Sequence, residues 1–183
     1  MNSARGMTLL QRAATVVLSL LLLQSAAAAM GRPPPPAGGP SGINGGLEIL
    51  FVADGDTLRA RSKGRSEWIR LLRIDTPEKN EEGYGEARSA LVEMVEDGAV
   101  TITFEKQDLP DRDGYGRLLA YLFAGGKNIN VEMVRAGWSP FWRRYGEGRF
   151  AEAFRQAEGE ARAAGRGLWG RTRGRPSGAP PSR

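Results

Sequence analysis

The 183-residue chain contains no histidine and no cysteine. This excludes zinc sites of the usual kind, histidine bases, thiol nucleophiles and disulfides, so catalysis must use carboxylates, Lys, Arg, Tyr or hydroxyls. The net charge of +5 says little about the chain's centre, because residues 47–165 hold 18 basic against 21 acidic residues, a formal charge of −3. Overall basicity is therefore a poor guide to what the chain binds.

The first 29 residues have the form of a secretory signal peptide. Arg5 and Arg12 precede the apolar run Ala13 to Leu23, and the small residues Ala26 to Ala29 follow it. An uncleaved membrane anchor is the alternative, but the apolar run is short for a bilayer. We predict a secreted or periplasmic protein without stable membrane association after signal cleavage.

Composition also predicts the domain boundaries. Residues 30–46 are rich in Pro and Gly and cannot bury enough apolar surface to fold, which predicts a linker. Residues 171–183 have a similar composition with added arginines, which predicts a basic disordered tail. The folded domain is therefore expected at residues 47–170, and we expect a monomer.

The first half of this domain alternates like strands and then changes period. "LEILFVADGDTLRARS" predicts two strands around a turn, and "EWIRLLRI" predicts a third. The apolar positions of the next segment recur at helical spacing, with Gly98 placed to end the helix: Ala87, Ala90, Leu91, Met94 and Val95.

The second half returns to strands and ends in helices. "VTITFEKQ" and "RLLAYLF" predict two more strands. Residues 130–136 predict a short helix closed by Gly137. The apolar positions from Phe150 to Ala164 recur at helical spacing and predict a longer helix ending at Gly165. Five short strands and three helices favour an α+β fold, a small antiparallel barrel of the oligonucleotide-binding type.

The motif "DGDT", residues 54–57, predicts a turn, because an Asp-Gly pair supplies the positive φ that hairpin turns need. Asp56 is a second carboxylate just past that turn, at a position where a strand does not need one. Asp56 is therefore a candidate functional group.

The motif "DTPE" follows the third predicted strand. Pro77 keeps Thr76 out of the helical region, so Asp75, the Thr76 carbonyl and Glu78 can point toward one centre. Oxygen ligands of this kind suit Ca²⁺ or Mg²⁺. The alternative is an N-cap and turn that open the next helix.

Arginines interrupt two apolar strands. Arg70 and Arg73 lie in the third predicted strand, and Arg117 opens the strand after "DGYG". Guanidinium groups near a metal would bind the oxygens of a phosphoryl group, whereas the alternative is structural ion pairing, favoured most for Arg73. Strict alternation places Arg70 and Asp75 on opposite faces, so a bulge or an early strand end is required.

The segment "GWSPFWRRYGEGRF" interleaves aromatic and basic residues, as in proteins that stack the bases of single strands. Core packing is the alternative for Trp138 and Phe141. We expect a binding role only for Trp142 and for Tyr115.

In this order, "DGDT", "RLLRIDTPE" and "YGRLLAY" resemble the staphylococcal nuclease family over about residues 47–170, including the closing "GLWG". The resemblance implies a Ca²⁺-dependent endonuclease on a five-stranded oligonucleotide-binding barrel, which cuts DNA and RNA and leaves 3′-phosphate ends. Asp56, Asp75 and the Thr76 carbonyl would be metal ligands. Glu78 would orient or deprotonate the attacking water.

Arg70 and Arg117 match the family's phosphate-binding arginines, and Tyr115 matches the tyrosine near the nucleotide. Two departures stand out. The acidic "KNEEGYGEARS" is shorter than the family's lysine-rich loop, and Trp142 is the candidate replacement for a tyrosine beside the base. A non-catalytic oligonucleotide-binding module on the same barrel is the main alternative, because fold does not fix function.

Overall fold

The computed structural model describes residues 46–96, 99–106 and 109–171. The predicted signal peptide, the linker apart from Gly46, the tail apart from Arg171 and the predicted helix end at Gly98 lie outside these ranges. Within the described ranges, no helix combines the length and the apolar character needed to span a membrane.

The fold is α+β. The described residues form seven strands: β1 (Glu48–Val52), β2 (Thr57–Ser62), β3 (Arg65–Leu71), β4 (Val100–Thr103), β5 (Asp111–Arg112), β6 (Leu118–Ala124) and β7 (Lys127–Asn128). They also form four helices: α1 (Tyr84–Glu96), α2 (Ile129–Arg135), α3 (Ala151–Ala164) and α4 (Leu168–Arg171).

The strands form one mixed sheet in the order β1-β2-β3-β6-β4, and the two-residue strands β5 and β7 pair with β6. Strands β1, β2 and β3 pair antiparallel as successive neighbours, whereas β3 and β6 pair parallel. An isolated bridge between Leu47 and Val100 joins the two ends of this order. In the described residues the ends are thus linked at one point rather than by a continuous ladder.

The predicted counts of five strands and three helices are therefore too low for the described residues. The prediction of a purely antiparallel sheet is wrong because β3 and β6 pair parallel. The two-residue strands and the four-residue helix α4 are too short to show a periodic pattern. The parallel pair forms because the long connection from β3 to β6 contains α1 and β4, and such a crossover returns the chain in its original direction. The five longer strands and three longer helices lie where the pattern predicts them.

The core follows the predicted periodicities. Strands β2 and β3 bury alternate residues, Leu58 and Ala60 in the first and Ile69 and Leu71 in the second. The helical faces are buried as expected, with Ala87, Leu91 and Val95 on α1, and Phe154, Ala157 and Ala161 on α3. Because side chains alternate along a strand, the residues between the buried ones face outward, and these include Trp68 and Arg70.

Gly137 fixes how the chain leaves α2. Its φ angle is +83°, and a Cβ atom built there would lie 2.2 Å from the carbonyl oxygen of Arg166. The Leu168 N–H donates a 2.9 Å hydrogen bond to the Gly137 carbonyl. A side chain at this position would separate the two segments, so the start of the aromatic segment depends on this glycine.

Candidate active site

One cavity of about 660 Å³ brings together most of the residues singled out in the sequence. Its lining includes six of them: Arg70, Asp75, Glu78, Tyr115, Arg117 and Trp142. Asp56 and Thr76 are buried, and Asp56 contacts both Arg70 and Thr76.

The end of β3 places Arg70 and Asp75 on the same side of the chain. The strand stops at Leu71, and Arg73 adopts a left-handed backbone conformation with φ of +65°. The chain turns there, so Arg70 Nη2 lies 3.1 Å from Asp75 Oδ1. An early strand end, one of the two predicted solutions, therefore resolves the conflict with strict alternation.

Asp56 is held by hydrogen bonds on both carboxylate oxygens. Oδ1 lies 3.1 Å from Arg70 Nε and accepts a 3.0 Å hydrogen bond from the Thr57 hydroxyl. Oδ2 accepts hydrogen bonds from the Thr76 N–H at 2.9 Å and the Thr76 hydroxyl at 3.1 Å. Burial raises the pKa of Asp56 to about 6, although Arg70 and the Thr76 N–H act in the opposite direction.

Gly55 has a different role from the predicted one. The motif does form the turn between β1 and β2, with the Asp56 N–H donating to Asp54 Oδ1 at 3.0 Å. The φ angle of Gly55, however, lies outside the left-handed region, so the expectation of a positive φ is wrong. A Cβ atom there would lie 2.8 Å from Thr76 and 2.9 Å from Ala87. Glycine is required because the turn packs directly against these residues.

Arg117 is oriented by Asp113, a residue that the sequence reasoning missed. Arg117 donates to Asp113 from Nε at 2.7 Å and from its main-chain N–H at 3.0 Å. Burial alone would raise the pKa of Asp113, but the hydrogen bonds from Arg117 and Tyr115 outweigh it and the pKa is lowered. The i, i+4 spacing of Asp113 and Arg117 around "DGYG" was the available signal.

Thr57 is the second missed residue. Its hydroxyl donates to Asp56 and accepts a 3.3 Å hydrogen bond from Arg117 Nη1. The side chain thereby connects the carboxylate at the start of β2 with the guanidinium at the start of β6. The motif contained this threonine, but its contact with Arg117, 60 residues away, has no local sequence signal.

Asp75 and Glu78 lie at the open side of the cavity. The Asp75 N–H donates to the hydroxyl of buried Ser139 at 2.8 Å, which fixes the main chain there. Burial raises the pKa of half-exposed Asp75, and Arg70 opposes this effect. Glu78 is exposed in a turn closed by Glu81, but α1 begins only at Tyr84, so the helix-capping alternative is wrong.

Three aromatic side chains in the cavity lining, Tyr115, Trp142 and Tyr145, form what we call the aromatic wall. The Trp142 ring centroid lies 5.7 Å from Arg70 Cζ, and Tyr145 packs edge-on against Trp142 at 5.3 Å. Tyr115 is exposed, with Arg117 Cζ 5.5 Å from its ring centroid.

The core-packing alternative holds for the two aromatic residues that precede Trp142. Phe141 is buried and stacks on Phe154 with ring centroids 5.0 Å apart and an interplanar angle of 7°. Trp138 is partly buried and packs against the core. The segment therefore divides into a buried first part and a part that faces the cavity.

Arg73 forms the ion pair expected of a structural arginine. Its Nη2 lies 3.0 Å from Glu105 Oε2, and Nη1 donates to the carbonyls of Tyr145 at 2.6 Å and Gly146 at 2.9 Å. The Trp142 N–H in turn donates to the Arg73 carbonyl at 2.9 Å. Arg73 therefore connects the turn after β3 to the aromatic wall.

The donor set fits a hard cation. Across the described ranges, no three acidic side chains form a ready-made metal cluster. Asp56 and Asp75 nevertheless each place one carboxylate oxygen 3.1 Å from a nitrogen of Arg70, which brings the two carboxylates to the same guanidinium. Two carboxylates with main-chain, water or phosphate oxygens match Ca²⁺ chemistry.

A protein-family model described as "Staphylococcal nuclease homologue" matches residues 68–171. The chain is 32% identical over 126 residues to "Endonuclease YncB" of Bacillus subtilis (strain 168), covering 65% of this chain and 59% of that protein. It is 32% identical over 125 residues to "SPbeta prophage-derived endonuclease YokF" of the same organism, covering 64% and 42%. An "Uncharacterized endonuclease" of Escherichia coli O157:H7 is 34% identical over 123 residues, covering 66% and 74%.

Proposed function

We propose that this chain, which belongs to the staphylococcal nuclease family, is a Ca²⁺-dependent endonuclease. It would hydrolyse phosphodiester bonds of DNA and RNA and leave 3′-phosphate ends. One observation carries the proposal: Arg70, Asp75, Glu78 and Arg117 line a single cavity, with Asp56 in contact with Arg70.

The chain's own residues supply most of the chemistry. Glu78, exposed at the cavity edge, orients and deprotonates the water that attacks phosphorus in line. Arg70 and Arg117 bind the phosphate oxygens and stabilise the charge that develops there. Asp56, Asp75 and the Thr76 carbonyl would hold Ca²⁺, which when bound supplies positive charge at the phosphate.

Tyr115 and Trp142 form the nucleotide-binding part of the proposal. Each ring lies beside one of the two arginines, Trp142 by Arg70 and Tyr115 by Arg117. An aromatic face beside a phosphate-binding cation suits a nucleotide, because the base stacks while the phosphate is neutralised.

Degradation of single-stranded DNA by the purified protein tests the activity. We expect cutting with Ca²⁺, none with excess chelator, and weak cutting with Mg²⁺, which tolerates irregular coordination poorly. Undiminished cutting in chelator would exclude the metal-dependent mechanism. Binding of DNA without cutting under every metal condition would favour the non-catalytic binding module.

Two further parts of the proposal rest on the sequence alone. The signal-like residues 1–29 support export to the periplasm or medium, which fractionation of cells expressing the chain would test by the size and location of the mature protein. We also propose a monomer, and light scattering of the purified protein would measure its mass.

A further inference from the structure

A second set of aromatic and basic side chains lies on the outer face of β1, β2 and β3. Phe51 on β1 pairs with Arg59 on β2, and Arg59 pairs with Trp68 on β3. These three neighbours form one line across the strands, which we call the aromatic row. None of them lines the candidate active-site cavity.

The rings of the aromatic row are open to solvent. Phe51 is 51% exposed and Trp68 is 40% exposed, with ring centroids 6.3 Å apart in an edge-to-face arrangement. Cations flank both rings, since Arg59 Cζ lies 5.9 Å from the Trp68 centroid and Arg88 Cζ lies 5.8 Å from the Phe51 centroid. Large exposed aromatic rings in a cluster are typical of interaction sites.

Within the described ranges, no carboxylate pairs with either of the two cations. Arg59 donates to the Ser66 hydroxyl at 3.0 Å and Arg88 donates to the Val52 carbonyl at 2.9 Å, and among the described residues neither forms an ion pair. Arg61, on the same face of β2, lies 3.0 Å from Glu48. Positive charge is therefore concentrated at the rings although the domain is not basic as a whole.

The aromatic row continues directly into the candidate active site. Trp68 and Arg70 are two residues apart on β3 and so project from the same face, about 7 Å apart along the strand. On this face, the next cross-strand pair of β2 and β3 is Thr57 with Arg70, and both of these residues contact Asp56. A single-stranded nucleic acid bound at Arg70 and Arg117 can therefore reach the aromatic row without crossing another helix or strand of the protein.

We propose that the aromatic row is a subsite for single-stranded nucleic acid, on which bases of the substrate stack beyond the position of cleavage. The assignment rests on the proposed nuclease function. Aromatic faces bind bases of any sequence, and the adjacent Arg59 and Arg88 attract the phosphates between them. A duplex hides its base faces, so the subsite discriminates in favour of single strands.

Binding measurements test the proposal apart from cleavage. The probe is a fluorescein-labelled oligothymidylate of about 12 nucleotides, and its anisotropy is followed with the purified full chain in chelator. Phe51→Ala and Trp68→Ala should each raise Kd by roughly 5- to 150-fold. Trp68→Phe should recover most of the affinity because it keeps an aromatic face.

A matched pair of arginines tests the charge. Arg59→Ala should weaken binding and flatten its dependence on salt, because one phosphate contact is lost. Arg61→Ala removes an arginine from the same strand and face whose charge is already paired with Glu48, and it should have a smaller effect. Equal effects of the two variants would show that only overall charge matters and would overturn the subsite.

The simpler explanation is that Phe51, Arg59 and Trp68 stabilise the strands as ordinary cross-strand pairs. Thermal unfolding of each variant measures that contribution directly. A lower Tm with unchanged Kd in folded Phe51→Ala and Trp68→Ala variants would overturn the proposal. An equal loss of affinity for a duplex hairpin would also overturn it, because duplex bases cannot stack on the rings.

Hydrolysis separates this inference from the proposed function. A small chromogenic thymidine phosphodiester occupies the catalytic cavity alone, so its turnover should be unchanged in Trp68→Ala, while KM for long single-stranded DNA rises. A protein that cleaves neither substrate, yet loses oligothymidylate affinity on Trp68→Ala, would refute the nuclease and retain the subsite. Normal cleavage of both substrates by Trp68→Ala would overturn the subsite and leave the proposed nuclease function intact.

Discussion

Two sides of the candidate active-site cavity are built in opposite ways. What we call the charged floor consists of Arg70 and Arg117, which line the cavity, and of buried Asp56 and Thr57, which contact them. Each member is joined to at least one other through a hydrogen bond or ion pair. The aromatic wall consists of Tyr115, Trp142 and Tyr145, and two of these rings are exposed. The members of the floor are therefore held partly by one another, whereas the wall is also supported by Arg73, which belongs to neither side.

This difference predicts separate effects on chemistry and on binding. Charges held in advance at the reacting phosphate lower the barrier without reorganising, whereas exposed rings add affinity. If the proposed function is right, damage to the floor should lower kcat, and damage to the wall should raise KM. If substitutions in the floor and in the wall change kcat and KM alike, the two sides do not have distinct roles.

The largest effect is expected at the reacting groups. Glu78→Gln removes the proposed base and Arg117→Ala removes the proposed phosphate-binding guanidinium, and each should lower kcat by about 10²- to 10³-fold while the fold persists. Arg117→Lys should also fail, because an ammonium group cannot make the bidentate contact. Steady-state kinetics, with circular dichroism as the check on folding, measures both.

Arg112→Ala is the matched control for Arg117. Arg112 is exposed, lies five residues earlier and pairs with Glu67 rather than with a floor residue. Its loss should leave kcat near that of the unmodified protein. A folded Glu78→Gln variant with normal turnover would assign activation of the water to another group.

The next effect tests the support of the wall. Arg73→Ala removes the ion pair with Glu105 and the hydrogen bonds to Tyr145 and Gly146. We expect a loss of about 2 kcal/mol in the free energy of unfolding, because Glu105 keeps Tyr121 but loses its cation. KM for single-stranded DNA should rise more than kcat falls.

Arg73→Gly sharpens the same test. It removes the side chain but suits the positive φ at this position, so it should be more stable than Arg73→Ala. If KM rises equally in both variants, loss of the guanidinium is the cause. Normal KM in both would show that the wall does not need this anchor.

A smaller effect is expected from the wall itself. Trp142→Ala should weaken binding of single-stranded DNA by about 1 to 3 kcal/mol if a base stacks there, with kcat little changed. Fluorescence anisotropy in chelator gives the affinity, and Trp142→Phe is the conservative partner. Loss of thermal stability without loss of affinity would assign Trp142 to packing against Arg70 and Tyr145.

The smallest effect is expected at the link within the floor. Thr57→Val keeps the shape but removes the hydroxyl between Asp56 and Arg117, which should lower kcat by roughly tenfold. Thr57→Ser keeps the hydroxyl and should retain most of the rate. Equal rates for both variants would show that Arg117 is positioned by Asp113 alone.

The sequence predicted the groups that carry charge better than the contacts that hold them. Arg70 and Arg117 stood out because they interrupt or open apolar strands, and Asp75 because it begins the motif that follows the third predicted strand. The structure places all three in the lining of one cavity, as expected for residues of a single site. Their chemical roles remain predictions. The aromatic row was not predicted, because Phe51 and Trp68 lie in strand-like runs where an aromatic residue is ordinary.

Contacts between distant parts of the chain account for what could not be predicted. Ser139 binds the main chain of Asp75 across 64 residues, and Arg73 reaches Tyr145 across 72. No local pattern encodes such pairs. The left-handed turn at Arg73 was equally hidden, because the sequence has no glycine or asparagine there to indicate it.

The parallel pairing of β3 with β6 also has a kinetic consequence. Its register joins Ile69 to Leu118 and Arg70 to Leu119, so a loop of nearly fifty residues must close before Arg70 and Arg117 line the same cavity. Closing such a loop costs conformational entropy, which is offset only by contacts that form afterwards. We therefore expect the pairing of β3 with β6 to form late and slowly during folding. If the proposed function is right, a newly made or refolding chain would not cleave nucleic acid before this step, since neither half of the domain alone holds both arginines.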